Sequence, residues 1–119
     1  MCTPTPPAPP QGDAVELSAI EAVAAQASLR DVPVSSHKGA IGHLLHISGA
    51  VGPAGASQAL RTGIIPPTAG LVTPEVTHRV RLPLVSEHAP PVTVVAVNSF
   101  GFGGNNASVV LRTGAGSHP

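Results

Sequence analysis

The chain has 119 residues, and its six Lys and Arg are balanced by six Asp and Glu. This balance leaves no net positive charge that would attract nucleic acid or an anionic membrane surface, so neither is expected as a partner. The sequence holds two Phe, no Trp and no Tyr, so it lacks most of the large side chains that stabilise a core. We therefore expect a section of a larger core rather than a self-sufficient one.

The N-terminal ten residues are rich in proline and carry no charge, which favours an extended polyproline conformation. Such a segment is either a ligand for a proline-binding domain or a non-native or truncated start. No arginine precedes Arg30 and no long apolar stretch is present, so neither a matrix-targeting signal nor a membrane span is predicted. Cys2 is the single cysteine and cannot form an internal disulfide.

Helix and strand patterns alternate along the rest of the chain, which is typical of an α/β domain. An apolar stripe of Leu17, Ile20, Val23 and Ala24 predicts the first helix, and Gly52-Pro53 is expected to kink or divide the second. The predicted elements are a helix over 13–27, a strand over 32–36, a helix over 42–61, an irregular surface segment over 69–91, and strands over 92–97 and 107–111. We expect residues 1–11 and 113–119 to be disordered and residues 12–112 to form one partial domain.

The turn between the last two strands, NSFGFGGNNA at 98–107, contains both phenylalanines. Glycine loses more backbone freedom on folding than any other residue. Gly101, Gly103 and Gly104 therefore suggest left-handed backbone or the close approach of a ligand. An ordinary glycine-rich connection between strands is the alternative.

A second motif, KGAIGH at 38–43, and NSFGFGG at 98–104 together resemble the C-terminal part of the β-ketoacyl-acyl-carrier-protein synthases. Two further matches lie in the expected order: GDAVE at 12–16 looks like the family's GDxxE helix start, and PPT at 66–68 looks like its PPT element. The resemblance covers about residues 10–112, the last quarter of a full-length enzyme. It implies an incomplete C-terminal portion of a thiolase-like αβαβα fold, with no cofactor and no metal ion.

In this family a cysteine accepts the acyl chain, and two histidines stabilise the enolate that forms when malonyl-acyl-carrier protein loses carbon dioxide. His43 matches the second histidine. A neutral imidazole that donates a hydrogen bond can stabilise developing negative charge in a dry pocket. Taken without its motif, a lone histidine is more often structural.

Lys38 matches a family lysine that pairs with the glutamate of GDxxE, here Glu16. This pair would add a positive potential near the histidines. Each could instead be a solvated surface charge, and Glu16 also fits the exposed face of its helix.

The two phenylalanines match two different roles. Phe102 matches the phenylalanine that gates the acyl cysteine, and its flanking glycines can absorb the change in dihedral angles. Phe100 matches the position whose backbone N–H helps to form the oxyanion hole, while its side chain could simply pack.

The sequence also departs from the family's pattern. Counting back from Glu16 places the first catalytic histidine at Thr5 and two pantetheine-binding threonines at Pro7 and Pro9, and Cys2 is in the wrong place to act as the nucleophile. His46 replaces a packed glycine, so a clash or an outward displacement of the helix is expected. His37 and Asn105, where threonine is usual, are milder changes.

We therefore expect a fragment of a 3-oxoacyl-acyl-carrier-protein synthase that is inactive as written. The alternative is a noncatalytic protein that binds a full-length synthase or acyl-carrier protein; a small anion-binding fold with chance motifs is a third reading. The resemblance implies acyl-carrier protein bearing acyl and malonyl groups as partner, and a homodimer in the full-length family. A mitochondrial location is the working hypothesis, with bacterial cytoplasm or plastid as alternatives.

Overall fold

The computed structural model describes residues 10–101 and 103–114, with side chains from residue 14 onward, and contains both helices and strands. The helices lie mainly in the first half, and the two longest strands come last. The elements are α1 (Pro10–Gln26), β1 (Val32–Pro33), α2 (Lys38–Ile41), a 3₁₀ turn (Leu45–Ile47), α3 (Ser48–Thr62), β2 (Ile64–Ile65), β3 (Val80–Arg81), β4 (Glu87–His88), β5 (Val94–Phe100) and β6 (Asn106–Arg112).

Helix α1 is close to its predicted bounds, and Leu17 and Ile20 of the predicted stripe are half-buried, but the buried face differs from that stripe at two positions. Ala24 and Glu16 are buried, whereas Val23 is exposed. The prediction that Glu16 fits the exposed face is therefore wrong. The helix ends where Ser28 adopts a left-handed φ of 55°, which turns the chain toward β1.

Glu21 connects α1 to β3 through its carboxylate. The carboxylate accepts hydrogen bonds from the backbone N–H groups of His78, Arg79 and Val80, at 2.9 to 3.1 Å. These hydrogen bonds, that of Arg79 foremost, hold the pKa of the Glu21 carboxyl below its usual value, because they stabilise the charged form. An acidic side chain thus joins two elements that are distant in sequence.

The segment that was predicted as one helix over 42–61 contains a 3₁₀ turn followed by α3. Pro53 lies inside α3 without dividing it, so the expected division is wrong. His46 is exposed in the 3₁₀ turn. Its side chain therefore does not press into a packed helix face, so the expected clash is also wrong, while the alternative, an outward displacement of the helix, stays a prediction.

The strands form three separate pairs. β1 pairs with β3 in parallel, β2 pairs with β4 antiparallel, and β5 pairs with β6 antiparallel. The segment over 69–91 therefore contains two short strands and is not wholly irregular. Two-residue strands carry no hydrophobic periodicity, so the sequence pattern could not show them.

The β5–β6 hairpin lies against α3 along one part of its length. Val97 and Gly52 are buried where the two elements meet, and a Cβ built on Gly52 would lie 2.6 Å from Val97 Cγ1. Elsewhere the hairpin is open, with Val110 65% exposed and Val94 57% exposed. The buried core is correspondingly small and consists mostly of alanine and β-branched side chains.

Residues 10–101 and 103–114 contain no helix that is both long and apolar enough to cross a membrane.

Candidate functional site

A cavity of about 270 Å³ lies between the KGAIGH segment and the turn of the β5–β6 hairpin. Lys38, His43 and Phe100 all line it, together with His37, Gly101 and Asn105. The structure therefore brings three of the five predicted site residues to one place, from two regions of the chain about 60 residues apart.

Two local features position His43 at the cavity. Gly42 ends α2 with a φ of 75°, a positive value that glycine adopts without steric cost. Leu45 also has a left-handed φ, 48°, and its backbone N–H donates a hydrogen bond to His43 Nδ1 at 3.0 Å. Since Nδ1 accepts this bond, the proton of the neutral imidazole lies on Nε2. Nε2 is therefore the donor nitrogen of neutral His43, whose side chain is exposed rather than enclosed in a dry pocket.

The register of the hairpin defines the direction of the Phe100 backbone N–H. Phe100 is paired with Asn106, and the Gly101 N–H donates to the Asn105 carbonyl at 2.7 Å. Directly opposed antiparallel pairs alternate between hydrogen-bonded and non-hydrogen-bonded. Phe100 and Asn106 therefore form a non-hydrogen-bonded pair, and the Phe100 N–H points away from β6.

The turn itself agrees with the prediction from its glycines. Gly103 and Gly104 have φ values of 81° and 80°, where a side chain would be strained. Gly101 has a different constraint, because a Cβ there would lie 3.2 Å from the Asn105 carbonyl oxygen. Phe102, the predicted gate, lies outside the described residues, as do Cys2, Thr5, Pro7 and Pro9.

Glu16 and Lys38 lie on different elements, and of the two only Lys38 lines the cavity. Glu16 is 7% exposed on α1, and Lys38 is half-buried at the start of α2. Helix α1 is bound to β3 through Glu21, and β3 pairs with β1. The chain continues from β1 into α2, which begins with Lys38. The Glu16–Lys38 ion pair remains a prediction.

His37 is a cavity residue that the sequence interpretation treated only as a mild change. Burial, and to a lesser degree the positive charge of Lys38, lower the pKa of His37 from its usual value, because both disfavour the imidazolium form. Its place beside Lys38 in the motif was the available signal.

The cavity therefore combines a histidine donor with an outward backbone N–H and a neighbouring lysine. Such donors are the kind that stabilise an oxyanion in acyl-transfer chemistry. In the part of the chain that the structure describes, no group of three or more His, Cys, Asp and Glu could hold a metal ion.

Comparison with known proteins identifies the family. The family model described as "Beta-ketoacyl synthase, C-terminal domain" matches residues 7–72, more than half of the chain. The chain belongs to the β-ketoacyl synthase family, and its fold is the C-terminal portion of a thiolase-like α/β fold. The predicted family and fold class are confirmed.

Individual relatives agree with this assignment. The chain is 41% identical over 100 residues to 3-oxoacyl-[acyl-carrier-protein] synthase 2 of Rhizobium meliloti, covering 84% of this chain and 24% of that protein. It is 40% identical over 106 residues to the mitochondrial 3-oxoacyl-[acyl-carrier-protein] synthase of Arabidopsis thaliana, covering 87% and 23%. Identity to the highly reducing polyketide synthase otaA of Aspergillus carbonarius is 38% over 109 residues, covering 87% and 4%. The chain thus spans about a quarter of the length of the two synthases.

Proposed function

We propose that this chain forms the C-terminal part of the condensation site of a 3-oxoacyl-acyl-carrier-protein synthase, which joins an acyl thioester to malonyl-acyl-carrier protein in fatty acid elongation. The observation that carries the proposal is the cavity lined by Lys38, His43 and Phe100. Its support from the comparisons is the 41% identity to a protein named 3-oxoacyl-[acyl-carrier-protein] synthase 2.

In this proposal His43 acts as a hydrogen-bond donor through Nε2. Loss of carbon dioxide from the malonyl group leaves the electron pair of the broken carbon–carbon bond on the thioester, as an enolate. The Nε2–H of His43 stabilises the enolate oxygen, and the Leu45 N–H on Nδ1 holds the imidazole in the required tautomer. The enolate carbon then attacks the acyl carbonyl carbon and forms the new carbon–carbon bond. The tetrahedral intermediate collapses as the acyl carbon–sulfur bond breaks, and the thiolate of the acyl-bearing cysteine leaves.

Phe100 contributes through its main chain rather than its ring. The outward direction of its N–H favours an interaction with the oxyanion that develops on the acyl carbonyl oxygen during attack. A donor in the backbone of a paired strand is preorganised, so little reorganisation is needed when charge appears. Phe102 would open and close access for the acyl chain from the same turn.

Lys38 would raise the positive potential around the cavity, and Glu16 would hold it in place. The burial of Glu16 favours this role, since a buried carboxylate is normally paired or hydrogen-bonded. The pair would therefore position a charge rather than transfer a proton.

The remaining reacting groups of the family have no counterpart among the residues of this sequence. The chain has one cysteine, Cys2, and no histidine before His37. We therefore expect the purified 119-residue chain neither to become acylated by acyl-acyl-carrier protein nor to decarboxylate malonyl-acyl-carrier protein. Condensation would require a nucleophile and a second histidine besides the residues named here.

Acyl-carrier protein as partner, a homodimer and a mitochondrial location belong to the same proposal. The relatives include proteins named as mitochondrial and proteins from bacteria. Fractionation of the cells that produce the chain would decide the location.

A chimeric enzyme tests the catalytic proposal. Residues 12–112 of this chain would replace the matching C-terminal part of the Rhizobium meliloti synthase, and release of carbon dioxide from malonyl-acyl-carrier protein would be measured. We expect His43→Ala to lower the rate about 10²- to 10³-fold, the usual cost of removing one oxyanion donor. His46→Ala is the matched control, because His46 is exposed nearby and is not among the cavity residues.

Equal rates for the two variants would contradict the role of His43. A folded chimera that becomes acylated but releases no carbon dioxide would instead favour the alternative, a noncatalytic chain that binds a synthase or acyl-carrier protein.

A further inference from the structure

Thr68, the last residue of the PPT segment, has no part in the mechanism above, yet it is buried beside the KGAIGH segment. It is 7% exposed, and Ser36 is 3% exposed. The Ser36 backbone N–H donates a hydrogen bond to Thr68 Oγ1 at 3.0 Å. A threonine hydroxyl thus satisfies a buried backbone donor 32 residues away in sequence, which would otherwise be costly to bury.

Both main-chain polar groups of Thr68 are hydrogen-bonded. Its N–H donates to the carbonyl of Pro83 at 3.3 Å, and its carbonyl accepts from the Leu71 N–H at 3.2 Å. Pro83 is fully buried. The hydroxyl is therefore presented from a fixed backbone and can act as a reference point for the segment that it binds.

Ser36 extends this connection to Lys38. The Ser36 hydroxyl accepts a hydrogen bond from the Lys38 backbone N–H at 3.2 Å. The path Thr68 to Ser36 to Lys38 consists of two hydrogen bonds and ends at the first residue of α2. It therefore fixes the start of the helix that carries Lys38 and leads into His43.

A second contact holds α2 against the same segment. A Cβ at Gly39 would overlap the carbonyl oxygen of Ala69, the residue after Thr68. The backbones of α2 and of residues 68–69 are therefore in direct contact.

Helix α2 has four residues, and a single helical turn is unstable without tertiary contacts. Its position must come from its neighbours. The geometry points to Thr68 as a positioning residue, whose hydroxyl holds Ser36 and, through it, the α2 turn that places Lys38 and His43 at the cavity. The value of that placement for catalysis rests on the proposed function, whereas the placement itself does not.

Hydrogen exchange of single backbone amides in the 119-residue chain, read by mass spectrometry, tests the placement. Thr68→Val keeps the shape of the side chain and removes the hydroxyl. We expect the Ser36 and Lys38 amides to exchange about tenfold faster, because the Ser36 N–H loses its acceptor and the Ser36 hydroxyl, which accepts from Lys38, is no longer held in place. The Val97 amide in the hairpin should be unchanged.

Thr68→Ser restores the hydroxyl and should restore slow exchange at both amides. The matched control is Thr77→Val, which removes a hydroxyl that donates to the Val80 carbonyl at 2.6 Å and should leave Ser36 and Lys38 unchanged. Unchanged exchange in Thr68→Val would overturn the inference. Fast exchange in Thr68→Ser would also overturn it, since the methyl group rather than the hydroxyl would then be responsible.

Ser36→Ala tests the hydrogen bond between Ser36 and Lys38 if Thr68→Val unfolds the whole chain. This variant should speed exchange at Lys38 alone and leave the amide at position 36 protected by Thr68; an unchanged Lys38 amide would overturn the connection. In the chimera, Thr68→Val should lower the maximal decarboxylation rate and Thr68→Ser should recover it. If exchange responds as expected but this rate does not, the placement stands and the proposed function of Lys38 and His43 fails.

Discussion

His37 stands at a cavity wall where a charged imidazole is disfavoured. Burial and the adjacent Lys38 both lower its pKa. A Cβ at Gly52 would lie 3.8 Å from His37 Cε1, so the ring lies near α3. Neutral His37 is therefore compatible with the folded chain, and protonation favours states in which the ring reaches water.

The pH dependence follows from the direction of this shift. Because the folded-state pKa of His37 is below the unfolded value of about 6.5, the unfolded chain binds more protons just below that pH. The contribution of His37 to the free energy of unfolding is fully present above about pH 6.5. It is lost as the pH decreases through the folded-state pKa. We expect the urea midpoint to decrease between pH 7.5 and pH 5.5, and to decrease less in His37→Thr.

His88→Thr, which changes an exposed histidine on β4, should retain the wild-type loss. Hydrogen–deuterium exchange of the imidazole Cε1–H, measured by mass spectrometry as a function of pH, gives the pKa of His37. A pKa at or above 6.5 for His37 in this titration would contradict the prediction.

At the scale of elements, α3 meets β5 through a glycine. Gly52 is buried, and a Cβ there would lie 2.6 Å from Val97 Cγ1. Such a distance is too short for two carbon atoms, so any side chain at this position must displace either the Val97 side chain or the helix and strand themselves. This contact also fixes the distance between the two elements that border the cavity.

Substitution of two glycines in the same helix separates packing from helix propensity. Gly52→Ala should destabilise the chain by about 1–3 kcal/mol, the usual cost of overpacking. Gly55→Ala should stabilise it by about 0.5–1 kcal/mol, because among the described residues no atom beyond the adjacent helix backbone lies within 4 Å of a Cβ there, and alanine is the better helix former. Urea titrations at low micromolar concentration measure both, and a stabilised Gly52→Ala variant would contradict the contact.

The sequence predicted the long elements and much of the cavity, but not how the short elements pack. Helix α1 and the hairpin carry apolar patterns over many residues, so local signals sufficed. β1 to β4 have two residues each and depend on pairing between distant segments. The burial of Glu16 and the proximity of His37 to α3 are tertiary facts, with no period in the sequence to reveal them.

At the scale of the whole molecule, the buried core is too small to cover the hairpin. The described core side chains are mostly Ala and Val, with one Ile, which limits the apolar area that folding removes from water. Val109 and Val110 on β6 remain 43% and 65% exposed. Open apolar strands of this kind promote association with other chains.

We therefore expect the purified chain to self-associate as its concentration rises, in a manner that depends on β6. Val110→Thr keeps a β-branched side chain suited to a strand and replaces a methyl group with a hydroxyl. It should shift the sedimentation velocity distribution toward the monomer. Val76→Thr is the matched control, because Val76 is 93% exposed but lies outside the strands, and it should leave the distribution unchanged. A wild-type chain that stays monomeric and unfolds in one sharp cooperative transition would contradict the prediction, because the exposed hairpin would then be stable without another chain packed on it.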